Sequence, residues 1–175
     1  CRTKILSYSL KIHGGEYFIN WQQDPFSNWN ARLVFPTPLK ELVVEVGLVA
    51  EMAVYNPFDF FLEDSASFVP FEYDPALARD LAPFLVRDEI GPLVQALVEP
   101  LQKSLEEGAG SSSSSKLATA DFLVALNRQI QERVRYQIRL EPGVQSPEET
   151  LEKQSGSCRD SAWLMCVILR QLGFA

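Results

Sequence analysis

From residue 40 to residue 54 apolar side chains return at every second position. Val44, Val46, Leu48, Ala50, Met52 and Val54 fall on one side of an extended chain, while Glu45 and Glu51 fall on the other. A helix would scatter these residues around its circumference, so the pattern commits the stretch to a β-strand with one apolar face. "KILSYSLKI" repeats the alternation, with Leu6, Tyr8, Leu10 and Ile12 set against Ser7, Ser9 and Lys11. "YFINWQQ" and "WNARLVF" flank "DPFSN", where Pro25 suits a turn corner, and "KIHGGEY" reads as a hairpin turn between two strands. Residues 1–70 are therefore expected to form an antiparallel β-sheet or small sandwich. Trp21, Phe26 and Trp29 are expected in a hairpin core, and "FDFFLED" is expected to pack against the helical half of the chain.

The period changes beyond that point. Ile90, Leu93, Val94, Leu97, Val98, Leu101 and Leu105 recur at helical spacing, with breaks expected at Pro92 and Pro100. The low-complexity stretch "EEGAGSSSSSK", residues 106–116, is expected to be a mobile loop. Thr119 is placed to cap a second helix carrying Phe122, Leu126, Ile130, Val134 and Ile138 on one stripe. Ser146, Pro147 and Glu149 read as the start of a short helix. A last helix is expected from Cys158 to Leu172, stopped by Gly173 and apolar nearly all round, hence central. The whole is an α+β chain, with β-structure over 1–70 and helices over 71–175.

The chain has 175 residues and a net charge of −7. That balance argues against a nucleic-acid partner, which needs a basic patch. The longest unbroken apolar run, Ala162–Leu169, is far short of the roughly 20 residues that span a bilayer, so no membrane association is expected. The N-terminus shows no basic region followed by an apolar segment, and the first residue is Cys1 rather than Met, which reads as a fragment. Cys158 and Cys166 lie eight apart on one expected helix, about 12 Å along its axis, too far to bridge. A reducing, cytoplasmic setting is expected. One histidine, His13, and three scattered cysteines make no tetrahedral zinc site, and no phosphate-binding loop is seen, so neither metal nor cofactor is expected.

Within "SGSCRDSAW", Ser157 is placed as an N-cap and Asp160 three positions on completes a capping-box-like pair. Cys158 then opens the helix, where the dipole and free N–H groups favour an anion and could donate to an oxyanion. Gly156 is expected to leave room for a substrate backbone. Arg159 is expected to be exposed, solvated or paired with an acid. From the residues alone Cys158 has two readings of equal weight, a nucleophile or a buried filler, because free cysteine is among the most buried residue types. Cys166, mid-helix among Met165, Val167 and Ile168, reads as core. His13 reads as a solvated turn residue, not as the base a cysteine nucleophile needs.

"INWQQDPFSNWNARLVFP", "YNPFDFFLE" and above all "EPGVQSPEETLEKQSGSCRDSAWL" resemble the bacterial transglutaminase-like family, often described as cysteine proteases. The resemblance covers nearly the whole chain. It implies a β-rich N-terminal region followed by the first half of a papain-like transglutaminase core. The family motif Gly-x-Cys-x-Asp-x-Ala falls on Gly156, Cys158, Asp160 and Ala162, which makes Cys158 the implied nucleophile, with Gly156, Ser157 and Asp160 in support. The implied chemistry is attack of the thiolate on a glutamine carboxamide or peptide carbonyl of a protein or peptide substrate, leaving a thioester for an amine or water to resolve. Transglutaminase, protease and amidase all remain open. The family's histidine and aspartate lie beyond this helix, and the chain ends at Ala175, so a truncated enzyme is expected. On this reading the fragment is inactive alone and self-associates through the uncovered helix. Ser27 stands where the family turn is expected to carry Gly. The alternative is a non-catalytic protein-interaction module that uses the β region.

Overall fold

The alternating stretches become strands, but their pairing skips along the chain. The computed structural model describes residues 3–52, 60–109 and 117–175, and it divides into two units, Cys1–Phe60 and Phe61–Ala175. In the first, β1 (Lys4–His13) pairs antiparallel with β4 (Val43–Glu51), and β2 (Phe18–Gln23) pairs antiparallel with β3 (Trp29–Val34). The expected hairpin at "KIHGGEY" is thus not a hairpin. Gly14, at φ +120°, turns the chain from one sheet into the other, and His13 ends β1 beside Glu45 at 3.6 Å. Tyr8, Leu10 and Ile12 stand opposite Leu48, Val46 and Val44, while Ser9 and Lys11 stand opposite Gly47 and Glu45. The two faces therefore separate as the alternation requires. A bulge between Ile5 and Ser7 takes Leu6 out of the ladder. Val54 lies outside the described residues.

The turn between β2 and β3 is held by Asp24. Its carboxylate accepts from the N–H groups of Phe26 and Asn28 and from Asn28 Nδ2, each at 2.9 Å. The Asn28 side-chain bond and the backbone bonds hold the Asp24 carboxyl below its usual range. Ser27 sits at φ +65°, in the left-handed region where glycine is unstrained. That explains physically why a glycine is expected there. Trp21, Phe26 and Trp29 are exposed rather than a closed core, and Ile5, Tyr8, Trp21, Trp29 and Leu48 line an open apolar cleft of about 530 Å³. Of "FDFFLED", Phe58 and Asp59 lie outside the described residues, and Phe61 is 97% exposed, so its ring does not pack as expected.

In the second unit, α1 (Pro75–Asp80) starts on an N-cap from Asp74, whose carboxylate accepts from Ala76 N. Helix α2 (Pro92–Ala109) runs through Pro100. Pro92 is tolerated as the first residue, and Pro100 removes the donor that Ala96 would otherwise receive without ending the helix. The start of α2 is closed by Glu148 of α4 (Pro147–Lys153), whose carboxylate accepts from Leu93 N at 2.7 Å and Val94 N at 3.2 Å. This places a negative charge on the positive end of the helix dipole. The expected loop over 106–116 is in part helix, since α2 continues to Ala109, and residues 110–116 lie outside the described residues.

A two-residue ladder of β5 (Phe68–Val69) with β6 (Leu117–Ala118) leads into α3 (Thr119–Arg133). Thr119 is not the cap, which is Ala118. The Thr119 hydroxyl instead donates to Ala66 O at 2.5 Å, tying α3 to the β5 approach. Phe122, Leu126, Ile130 and Val134 are buried as their spacing predicts, but Ile138 lies beyond the helix and is exposed. Strand β7 (Arg135–Tyr136) pairs parallel with β8 (Ser155–Gly156), which opens directly into α5 (Cys158–Gln171). The core joins Val94 and Val98 of α2, Leu126 and Ile130 of α3 with Val134 just beyond it, and Leu164, Val167 and Ile168 of α5. Gly173, at φ +87°, reverses the chain after α5: Gly173 N donates to Arg170 O and Phe174 N to Leu169 O. Phe174 is thereby laid on Phe122 at 5.5 Å and Phe71 at 5.4 Å between ring centroids.

Helix α5 is not buried all round. Helices α2, α3 and α4 cover one side, burying Leu164, Val167 and Ile168, while Cys158, Ala162 and Cys166, at successive fourth positions, form an exposed stripe. Cys166 is therefore a surface thiol and not the core residue expected. Leu164 is fully buried in this core, and truncation to Ala should cost about 2–5 kcal/mol in urea unfolding of the chain. A loss under about 1 kcal/mol would mean that this core collapses without cost.

Candidate active site around Cys158

The site is made where β8 becomes α5. Shortly before the helix, Gln154 takes φ +50° and closes α4, so the chain leaves that helix and re-enters as a strand beside β7. Gln137 N donates to Gly156 O at 2.9 Å and Arg135 N to Gln154 O at 2.9 Å, fixing the strand's height. Gly156 is buried. A side chain there would put its Cβ 2.9 Å from Asp160 Cβ and 3.4 Å from Thr150 Cγ2. The space left by the missing side chain is thus filled from inside the protein and is not the room for a substrate that the sequence suggests.

Ser157 is the N-cap of α5, with φ −78° and ψ 175°, and Cys158 is the first helical residue. Asp160, the third, has no exposed surface. Its Oδ2 accepts from Ser157 N at 2.7 Å, from Ser157 Oγ at 2.8 Å and from Arg139 Nε at 2.9 Å, and its Oδ1 accepts from Gln145 N at 2.8 Å. The reaching-back of the third residue to the N-cap N–H is half of a capping box. The Ser157 hydroxyl turns to the same carboxylate. Arg139 also approaches Glu141 at 3.6 Å and donates to Gly143 O at 3.4 Å, so one guanidinium gathers the 139–145 segment against the helix start. Gln145 and Thr150 are buried, and Thr150 Oγ1 donates to Gln145 Oε1 at 3.3 Å and Ser146 O at 2.9 Å.

Burial alone would raise the Asp160 carboxyl. The bonds from Gln145 N and Ser157 outweigh it, with Arg139 adding to them, and hold the group far below its ordinary value of 3.8. Asp160 is a buried anion matched to one cation and three other donors, the arrangement that a buried charge requires.

Cys158 stays outside this network, exposed on the side of α5 that its packing leaves open. Of the residues singled out from the sequence, Gly156, Ser157 and Asp160 come together as one buried cluster, and Cys158 is presented by them. Arg159 is exposed as expected, yet its partners are not acids: Nη2 donates to Arg139 O at 3.4 Å and to Glu141 O at 3.5 Å. Nothing in the sequence signals Arg139, which lies in no periodic stretch and 21 positions from its partner.

The Asp160 carboxyl predicts a pH dependence with a definite sign. Its folded value is depressed, so its contribution is fully present above the unfolded value near 3.8 and is lost as the pH falls through that value towards the folded one. Below about pH 4 the unfolded chain binds a proton that folded Asp160 refuses, which favours unfolding. Urea unfolding at about pH 5, 4 and 3 should therefore show a steeper loss of stability on acidification for the wild type than for Asp160→Asn. Parallel slopes would contradict this account of the carboxylate.

Residues 1–51 match the model of the bacterial transglutaminase-like N-terminal region, and residues 106–175 match that of the transglutaminase-like superfamily. No curated protein and no solved structure matches the chain.

Proposed function

We propose that this chain, which belongs to the bacterial transglutaminase-like family and so to a kind of cysteine enzyme that acts on proteins, uses Cys158 as the nucleophile of an acyl transfer. One observation carries the reading. The exposed thiol stands at the first position of a 14-residue helix whose start is fixed from beneath by a buried carboxylate. The sulfur attacks the carbonyl carbon of a glutamine carboxamide or a peptide bond. The C–S bond forms, electrons move onto the oxygen, and collapse of the tetrahedral intermediate breaks the C–N bond and releases ammonia or an amine with a proton. A thioester remains, and an amine or water resolves it. The N–H groups at a helix start have no intrahelical acceptors, so those of Cys158 and Arg159 are in position to hold the oxyanion. Phe61–Ala175 contains no histidine, so an imidazole base for this chemistry is not supplied by that unit.

The test is ammonia release from a glutamine peptide by the protein at the full length its gene encodes. Cys158→Ser should lower the rate by at least about a thousandfold, as removal of a covalent nucleophile does. Cys166→Ser should leave it within about twofold, because that thiol has no part in the reaction. Equal turnover by the Cys158→Ser protein would overturn the assignment.

A further inference from the structure

We infer that Arg139 is a positioning residue for Cys158. It holds the backbone on both sides of the thiol, and the inference rests on the nucleophile reading above only in naming what that positioning serves. Ser157, before the cysteine, is bound through its N–H and its hydroxyl to Asp160, and Asp160 is bound by Arg139 Nε. Arg159, after the cysteine, reaches back to the carbonyls of Arg139 and Glu141. The two neighbours of Cys158 are thus tied to one short segment, and Arg139 fixes that segment. Its side chain is only 13% exposed and meets three groups: Asp160 through Nε, Glu141 through Nη1 and the Gly143 carbonyl through Nη2. A planar guanidinium can serve all three directions together, whereas an ammonium group on the same stem neutralises Asp160 but cannot hold the fork. The device therefore separates charge from geometry. Neutralising the buried Asp160 stabilises the fold, and the fork sets the height and angle at which the helix start presents its thiol.

The experiment uses the 175-residue chain with Cys1 and Cys166 replaced by Ser, so that iodoacetamide reports on Cys158 alone. Thermal melting and the alkylation rate across a pH series are measured for the parent, Arg139→Lys and Arg139→Met. We expect Arg139→Lys, which keeps the charge, to melt closer to the parent than Arg139→Met does, and to be alkylated at least about threefold more slowly with an altered pH profile, a larger loss than its melting accounts for. Arg139→Met should lose in both readouts, and in the full-length protein Arg139→Lys should lower kcat more than it raises KM. The proposal is overturned if Lys restores both melting and alkylation to parent values, if folded Arg139→Met is alkylated like the parent, or if alkylation falls only in proportion to melting. Failure of the acyl-transfer reading is recognised separately, by Cys158→Ser turning over glutamine peptide as well as wild type, and the alkylation comparison does not depend on that result.

Discussion

A single carboxylate with no exposed surface organises the second unit's site. Asp160 could not be buried as an anion alone, and an uncompensated ion of this size is expelled or protonated. Four donors from three parts of the chain make its burial tolerable: Ser157 N and Oγ, Gln145 N and Arg139 Nε. Because a half-satisfied buried network is worse than none, each of those groups is held by the need of the others. The helix start, the strand before it and the 139–145 segment are thereby one object.

What that object leaves outside is Cys158. The side of α5 that carries Leu164, Val167 and Ile168 is buried against α2, α3 and α4, while Cys158 opens the exposed stripe. The anionic group lies within the helix start and fixes Ser157, the residue immediately before the cysteine. Gly156 answers the same shortage of space, since only a missing side chain lets the strand lie on Asp160 and Thr150. The motif that reads as Gly-x-Cys-x-Asp is in this light three parts of one packing problem, in which Cys158 is the residue that does not pack.

What the sequence revealed was local, and what it hid was long-range. The limits of α5 were legible because Ser157 and Gly173 are end signals that act on their immediate neighbours, and Ser146 with Pro147 announced α4 in the same way. The buried stripe of α3 could be read from its spacing. The pairing of β1 with β4 was not legible, since a period of two says that a strand has a face but not which strand shares its ladder. Cys166 was misplaced for a related reason. A run apolar nearly all round tells that a helix can be buried on every side, not how many neighbours arrive to bury it. Arg139 was invisible because nothing in one sequence marks which arginine will meet a carboxylate, or that the carboxylate will be buried.

The central claim is that Asp160 pins the two amides beside it into the most stable part of the fold. Native-state hydrogen exchange reads this directly at Ser157 and Gln145, whose N–H groups end on the carboxylate at 2.7 and 2.8 Å. Both amides should exchange only through global opening of the second unit, at rates close to those of the buried turns of α5, although one stands at a helix cap and the other in a connecting segment. Exchange of either amide at the rate of an exposed loop would show that the network opens locally, and would contradict the account.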